Sequence, residues 1–204
     1  MTNTLRQWAG VRPPTTLDRQ STALLLIDIQ MDYFTPGKLL IPDGDRVLDL
    51  AGALRDWAAG SGLPVVHIQQ CSAPTSPLFA AGTTGCAIHH SLTPREGEFV
   101  IAKTLPGSFD RTELHAMLQV RGITTLILAG LMTHMCVETT ARTALPLGYT
   151  VLVAADACAS RDLPTYDGQG IIPHTEVHRN ALAALADRFA EVLTTAALQE
   201  LAAT

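Results

Sequence analysis

What most constrains the fold of this chain is an alternation: short, wholly apolar runs separated by longer stretches with helical spacing. The runs are "TALLLIDI" at Thr22–Ile29, "LPVVHIQ" at Leu63–Gln69, "EFVIAK" at Glu98–Lys103, "TTLILAG" at Thr124–Gly130, "YTVLVAAD" at Tyr149–Asp156 and "AEVLTT" at Ala190–Thr195. Helical spacing is expected over Asp45–Ala59, with Val47, Leu50, Leu54 and Trp57 on one side, and over Asp110–Gly122, Thr133–Leu147, His174–Phe189 and the last residues. A strand that shows water on one face alternates apolar with polar residues. A strand covered on both faces reads as a continuous apolar run, as these do. Strands of that kind interleaved with helices, joined by right-handed crossovers, predict an α/β fold: a doubly wound three-layer sandwich around a six-stranded parallel sheet, for which the order 3-2-1-4-5-6 is expected.

A length of 204 residues and a hydrophobic fraction of 47% suit one globular domain. Residues 1–20, with Pro13 and Pro14 near their end, read as an N-terminal arm, and residues 21–204 as a single domain. No apolar run reaches the roughly 18 to 20 residues that span a bilayer, and "MTNTLRQWAGVRPPTTLDRQ" has no signal-peptide core, so the expectation is a cytoplasmic protein with no membrane partner. The net charge of -5, without a long block of like charge, argues against a nucleic-acid partner.

Neither a cofactor nor a metal is expected. The turn after the first strand, "DIQMDYFTPG", lacks the glycine pattern that cradles a dinucleotide. The four cysteines, Cys71, Cys86, Cys136 and Cys158, form no metal-like spacing and read as free thiols. In "HTEVH" Glu176 is two positions after His174, whereas the zinc-protease motif needs it directly after the first histidine. "HH" at 89 and 90 reads as loop or helix surface, and His67 as a core histidine with a partner.

In open parallel sheets the ligand sits beyond the carboxyl ends of the strands, near the point where strand order reverses. Asp28 ends strand one, Lys103 ends strand three, and Cys136 sits in the turn after strand four, where a helix begins. An ammonium and a helix start both favour thiolate over thiol. A carboxylate within reach can take the thiol proton and later give it to a leaving amine. Gln69, at the end of strand two, Phe34, Phe109 and His134 are further candidates for the substrate pocket. The long loop from Ser72 to Gly85 is expected to carry much of the specificity.

These residues make the chain resemble the isochorismatase-like cysteine hydrolase superfamily, with similarity to nicotinamidases, N-carbamoylsarcosine amidases and related amide hydrolases. The resemblance rests on "LLLIDIQMDYF", "VIAKTLPGSFDRTEL" and "LILAGLMTHMCVETTARTALPLGYTVLVAADACASRD", and runs from about residue 20 to residue 195. It implies that Asp28 is the general base, Lys103 the family's lysine and Cys136 the nucleophile. It also implies a cis peptide between Leu131 and Met132, an oxyanion hole made by the Met132 and Cys136 N–H groups, and a pocket position for Tyr33. A small-molecule substrate and a homo-dimer or homo-tetramer follow from the same resemblance. Nicotinamidases usually carry an Asp-x-His metal pair after the second strand, where this chain reads "HIQQCSAPTSPLFAAG". Isochorismatases that cleave vinyl ethers typically lack the cysteine. The expected reaction is therefore hydrolysis of a small amide or carbamoyl compound through a thioester. An ether or ester hydrolase of the isochorismatase type and a non-catalytic thiol-sensing or binding protein on the same fold are the alternatives.

Overall fold

The structure is a computed structural model that describes residues 2–203. Six strands form one parallel sheet: β1 (Thr22–Ile27), β2 (Val65–Gln70), β3 (Phe99–Lys103), β4 (Thr125–Leu131), β5 (Thr150–Ala159) and β6 (Glu191–Leu193). Their order is β3-β2-β1-β4-β5-β6, the order the sequence predicts. Five helices flank it: α1 (Gly44–Gly60), α2 (Leu114–Val120), α3 (Glu138–Ala144), α4 (His174–Arg188) and α5 (Thr195–Gln199).

The continuous apolar runs have the expected cause. Along β1, Leu24 and Leu26 face one core while Ala23, Leu25 and Ile27 face the other. In β4, Ile127, Ala129 and Leu131 turn to the first core, and Leu126 and Leu128 to the second. Val47, Ala51, Leu54 and Ala58 of α1 and Leu198 of α5 close the first. Leu114 and Leu118 of α2, Ala141 and Ala144 of α3 and Leu185 of α4 close the second. The edge strand β3 departs from this rule: Val100 is 45% exposed, and Ala102 on the same face is exposed with it.

Several element ends differ from the sequence expectation. Helix α2 begins at Leu114 rather than Asp110, since residues 110–113 are turns. β5 runs on to Ala159 and β2 to Gln70. The stretch expected as one helix from Thr133 is a π-helical turn, Thr133–Val137, followed by α3. After α5 the chain is extended again, and Ala202–Ala203 pairs in parallel with Thr16–Leu17. Near the N-terminus, a short helix at Leu5–Trp8 lies on the chain's own body: the Leu5 N–H donates to Asp187 (2.9 Å) and Arg6 pairs with Glu191 (2.9 Å).

Candidate active site

The register of the parallel sheet brings three strand ends together. Gln70 of β2 pairs with Lys103 of β3, and Ile27 of β1 pairs with Gly130 of β4. Asp28 then leaves the strand in the left-handed region (φ 50°), which few residues other than glycine occupy. Its N–H still donates to the Ile68 carbonyl (3.0 Å), so the carboxyl group is fixed from β2 as it turns off β1. β4 approaches so closely here that Gly130 (φ 127°) has no substitute: a Cβ would lie 2.1 Å from the Ile27 carbonyl oxygen.

The peptide between Leu131 and Met132 is cis, and Cys136 follows within the π-helical turn. The Met132 carbonyl accepts from the Met135 N–H (3.1 Å) and the Val137 N–H (3.3 Å). Thr140 Oγ1 donates to the Cys136 carbonyl (2.6 Å) and meets Ser108 Oγ (2.8 Å), which ties the turn to the segment after β3.

Asp28, Lys103 and Cys136 converge. Lys103 Nζ lies 2.7 Å from Asp28 Oδ2, 2.8 Å from Gln70 Oε1, 3.1 Å from the Leu105 carbonyl and 3.6 Å from Cys136 Sγ. All three are buried. Neither oxygen of Asp28 has a well-aligned hydrogen bond among the described residues, although the Lys103 ammonium is close enough for an ion pair. Burial raises the Asp28 pKa above the ordinary carboxylate value, against the Lys103 charge and the Cys136 thiol that pull it down. Burial and then the Asp28 carboxylate push the Cys136 thiol up to about 12, outweighing Lys103. Burial and the carboxylate thus act on the thiol against the ammonium, which the sequence expectation counted as favouring thiolate.

Cys136 opens onto a cavity of about 390 Å³. Tyr33, Gln70, Met132, Met135 and Arg161 line it, with Ser72, Leu78 and Phe79 from the loop after β2. Burial, with Cys136 and Asp28 nearby, raises the Tyr33 phenol well above its ordinary value, so it stays a hydroxyl donor. Arg161 donates from Nη1 to the Asp162 carbonyl (2.9 Å), while its buried Nε has no hydrogen-bond partner among the described residues.

The sequence candidates divide. Tyr33, Met132 and Cys136 are on the cavity wall, and Asp28 and Lys103 stand behind Cys136. The other four lie off the wall. Phe34 packs in the core against His89 (ring centroids 4.7 Å apart). Phe109 stacks on Tyr149 (5.6 Å) in the other core. Gln69 donates to the Cys86 carbonyl (2.9 Å), and His134 bonds Ser160 Oγ (3.0 Å). The reason for the Gln69 miss is the strand end: β2 continues one residue further, and the alternation of side chains gives the pocket position to Gln70. Arg161 escapes the sequence reading for the same reason, because β5 ends at Ala159, two positions before Arg161, and not at Asp156.

The remaining histidines have partners of their own. His174 contacts Asp162 (3.0 Å), His178 meets Thr133 Oγ1 (2.8 Å), and His67 bonds Glu98 (2.8 Å). His89 is buried rather than on the surface. Among the described residues no group of three or more His, Cys, Asp or Glu side chains is placed to hold a metal, and no helix is long and apolar enough to cross a membrane.

With the geometry in place, comparison with known proteins decides the family. The isochorismatase domain model matches residues 22–197. The chain belongs to the isochorismatase family. An isochorismatase family protein of Bacillus subtilis (strain 168) is 39% identical over 178 residues, 87% of this chain and 98% of that protein. The crystal structure of an isochorismatase from Pseudomonas putida KT2440 superposes with a TM-score of 0.87 at 34% identity, covering 96% of this chain and 98% of the other. N-carbamoylsarcosine amidase from Thermoplasma acidophilum gives 0.74 at 26% identity, covering 86% and 96%. This isochorismatase-family chain is thus a member of a hydrolase family, with amide hydrolases among its structural relatives.

Proposed function

We propose that the protein hydrolyses a small amide or carbamoyl compound with Cys136 as nucleophile, Asp28 as general base and acid, and Lys103 as the group that holds their charges. The observation that carries this reading is the convergence of the three side chains, with Cys136 on the wall of one cavity and Lys103 Nζ behind it, 2.7 Å from Asp28 and 3.6 Å from Cys136. The N-carbamoylsarcosine amidase relative supports a C–N bond as the target.

Burial and the Asp28 charge raise the Cys136 thiol above its ordinary value, so deprotonation and attack are coupled. Asp28 takes the Cys136 proton as sulfur adds to the carbonyl carbon, and its raised pKa makes it a stronger base than an ordinary carboxylate. The Met132 and Cys136 N–H groups receive the oxyanion. Asp28 then protonates the departing amine or ammonia, leaving an acyl group on Cys136. Water, deprotonated by Asp28, attacks the thioester, and the thiol is regenerated. Lys103 keeps net charge low as the proton moves between Asp28 and its partners.

Arg161 narrows the substrate class. It makes no ion pair among the described residues and has an unsatisfied buried Nε at the cavity. A guanidinium in that state is suited to an anionic group on the substrate, so the preferred compounds carry a carboxylate a few bonds from the scissile amide. The test is ammonia release from small primary amides, ureido acids and nicotinamide, with wild type beside Cys136→Ala. Release that disappears in the variant, and is strongest for compounds bearing a carboxylate, is the expected result. Release that survives in Cys136→Ala contradicts the reading, as does turnover confined to vinyl ethers.

A further inference from the structure

Two of the cysteines outside the proposed reaction lie against each other. Cys71 directly follows β2, and Cys86 ends a short 3-10 turn at Thr84–Cys86. They are fifteen positions apart in sequence, yet their Sγ atoms are 3.5 Å apart, and both are free thiols. The segment between them supplies Ser72, Leu78 and Phe79 to the cavity in front of Cys136.

That segment is closed on itself. The Ser72 N–H donates to the Phe79 carbonyl (2.8 Å), the Ala81 N–H to the Ser72 carbonyl (3.1 Å), and the Phe79 N–H to Asp32 Oδ2 (2.6 Å). One end is tied to the backbone of Lys103 and the other to two glutamines of neighbouring segments. The Cys71 N–H donates to the Lys103 carbonyl (2.8 Å), and the Cys86 carbonyl accepts from Gln30 Nε2 (2.6 Å) and Gln69 Nε2 (2.9 Å). A disulfide requires a sulfur separation of about 2.05 Å, so the two atoms need to close by only about 1.5 Å.

We propose that Cys71 and Cys86 are a redox modification site, whose disulfide, formed by hydrogen peroxide, fixes the loop over the cavity and restricts access to Cys136. Cys71 is half-buried, whereas Cys86, Cys136 and Cys158 are buried, so peroxide meets Cys71 first. The Cys71 sulfur displaces water from peroxide, the O–O bond breaks, and a sulfenic acid forms. Cys86 sulfur then attacks Cys71 sulfur. The S–O bond breaks, the hydroxide leaves with the Cys86 proton as a second water, and the two thiols have supplied the two electrons that reduce one peroxide. A dithiol such as dithiothreitol reverses the step by exchange.

The inference uses the same cavity as the proposed reaction but does not need turnover, and its test reads the loop separately. Native protein is treated with hydrogen peroxide near stoichiometry. The remaining thiols are blocked, and the denatured chain is cleaved by chymotrypsin, which cuts at Phe79 between the two cysteines. The expected result is two fragments joined until reductant is added. In parallel, alkylation of Cys136 by iodoacetamide slows several-fold after peroxide and recovers with dithiothreitol. Cys71→Ser and Cys86→Ser keep the untreated alkylation rate and lose the peroxide effect; should the Cys86 variant not fold, Cys71→Ser carries the test. Fragments that separate without reductant, a joined pair with no change in Cys136 alkylation, or an equal loss of Cys136 labelling in Cys71→Ser would each overturn the proposal.

Discussion

Two buried carboxylates, one near each end of the parallel strands, are treated in opposite ways. Glu98 stands just before β3. Its oxygens accept from Arg55 Nε (2.7 Å), Arg55 Nη2 (2.7 Å) and the Arg95 N–H (2.8 Å), and contact His67 (2.8 Å). Burial pushes its pKa up, but these partners win and bring it down to about 2. Asp28 stands just after β1 and is more deeply buried than Glu98, with one ammonium at 2.7 Å and no well-aligned hydrogen bond among the described residues. Burial wins there, and its pKa is raised. A carboxylate with its lone pairs satisfied contributes to the architecture. One left short of partners beside a thiol and a cavity is poised to take a proton.

The sharpest way to break this contrast is to remove each carboxylate. Asp28→Asn is expected to lower kcat by about 10²- to 10⁴-fold, the usual range for general acid–base catalysis, with the fold retained because Lys103 keeps Gln70 Oε1 and the Leu105 carbonyl as partners. Glu98→Ala leaves the Arg55 guanidinium buried without its partner, and a loss of about 3 to 5 kcal/mol of stability is expected, with activity per folded molecule retained. Thermal melts and ammonia release on both variants check the pair. If Asp28→Asn unfolds the protein while Glu98→Ala abolishes turnover, the two roles are reversed.

Acid separates them next. The folded pKa of Glu98, about 2, lies below its ordinary 4.5. Its contribution of about 3 kcal/mol is therefore present above pH 4.5 and is lost as pH falls from there toward 2. Asp28 has the opposite sign: its folded pKa is raised above 3.8, so protonating it on acidification adds stability but removes the base. Activity is thus expected to fall at a higher pH than the fold does. Initial rates and circular dichroism across the acid range read both, and coincident loss would contradict the difference in pKa.

Smaller effects sharpen the cavity side. Arg161→Gln is expected to raise KM about 10- to 100-fold for substrates carrying a carboxylate and little for neutral ones, as removal of a charge-assisted hydrogen bond does. Equal changes for both classes would remove Arg161 from recognition. Tyr33→Phe takes only a hydroxyl from the wall, and a change of about 1 kcal/mol or less in kcat/KM is expected.

The sheet was legible in the sequence because burial on both faces leaves a direct mark, the unbroken apolar runs of β1 and β4. Asp28, Lys103 and Cys136 were legible because each stands beside a strand end, which the same runs delimit. The pocket was less so. β2 and β5 run one and three residues further than their apolar patterns indicate, so the patterns point to Gln69 in place of Gln70 and stop short of Arg161. Phe34, Phe109 and His134 are near the site in sequence, but the local chain turns them into cores or onto Ser160. The loop contributors Ser72, Leu78 and Phe79 depend on contacts with Asp32 and on hydrogen bonds within the loop, which no periodicity records. The direction of the thiol's pKa shift is not legible in the sequence, because it depends on how burial and the Asp28 charge weigh against Lys103.

The most direct test of Cys136 as the nucleophile is intact-protein mass spectrometry on an acid-quenched reaction with the best substrate of the amide and ureido panel. The expected result is a covalent adduct on Cys136, with the mass of the acyl part and without the amine, absent from Cys136→Ala, which also releases no ammonia. Turnover with no adduct, undiminished in Cys136→Ala, would contradict a thioester route and leave direct attack by water in its place.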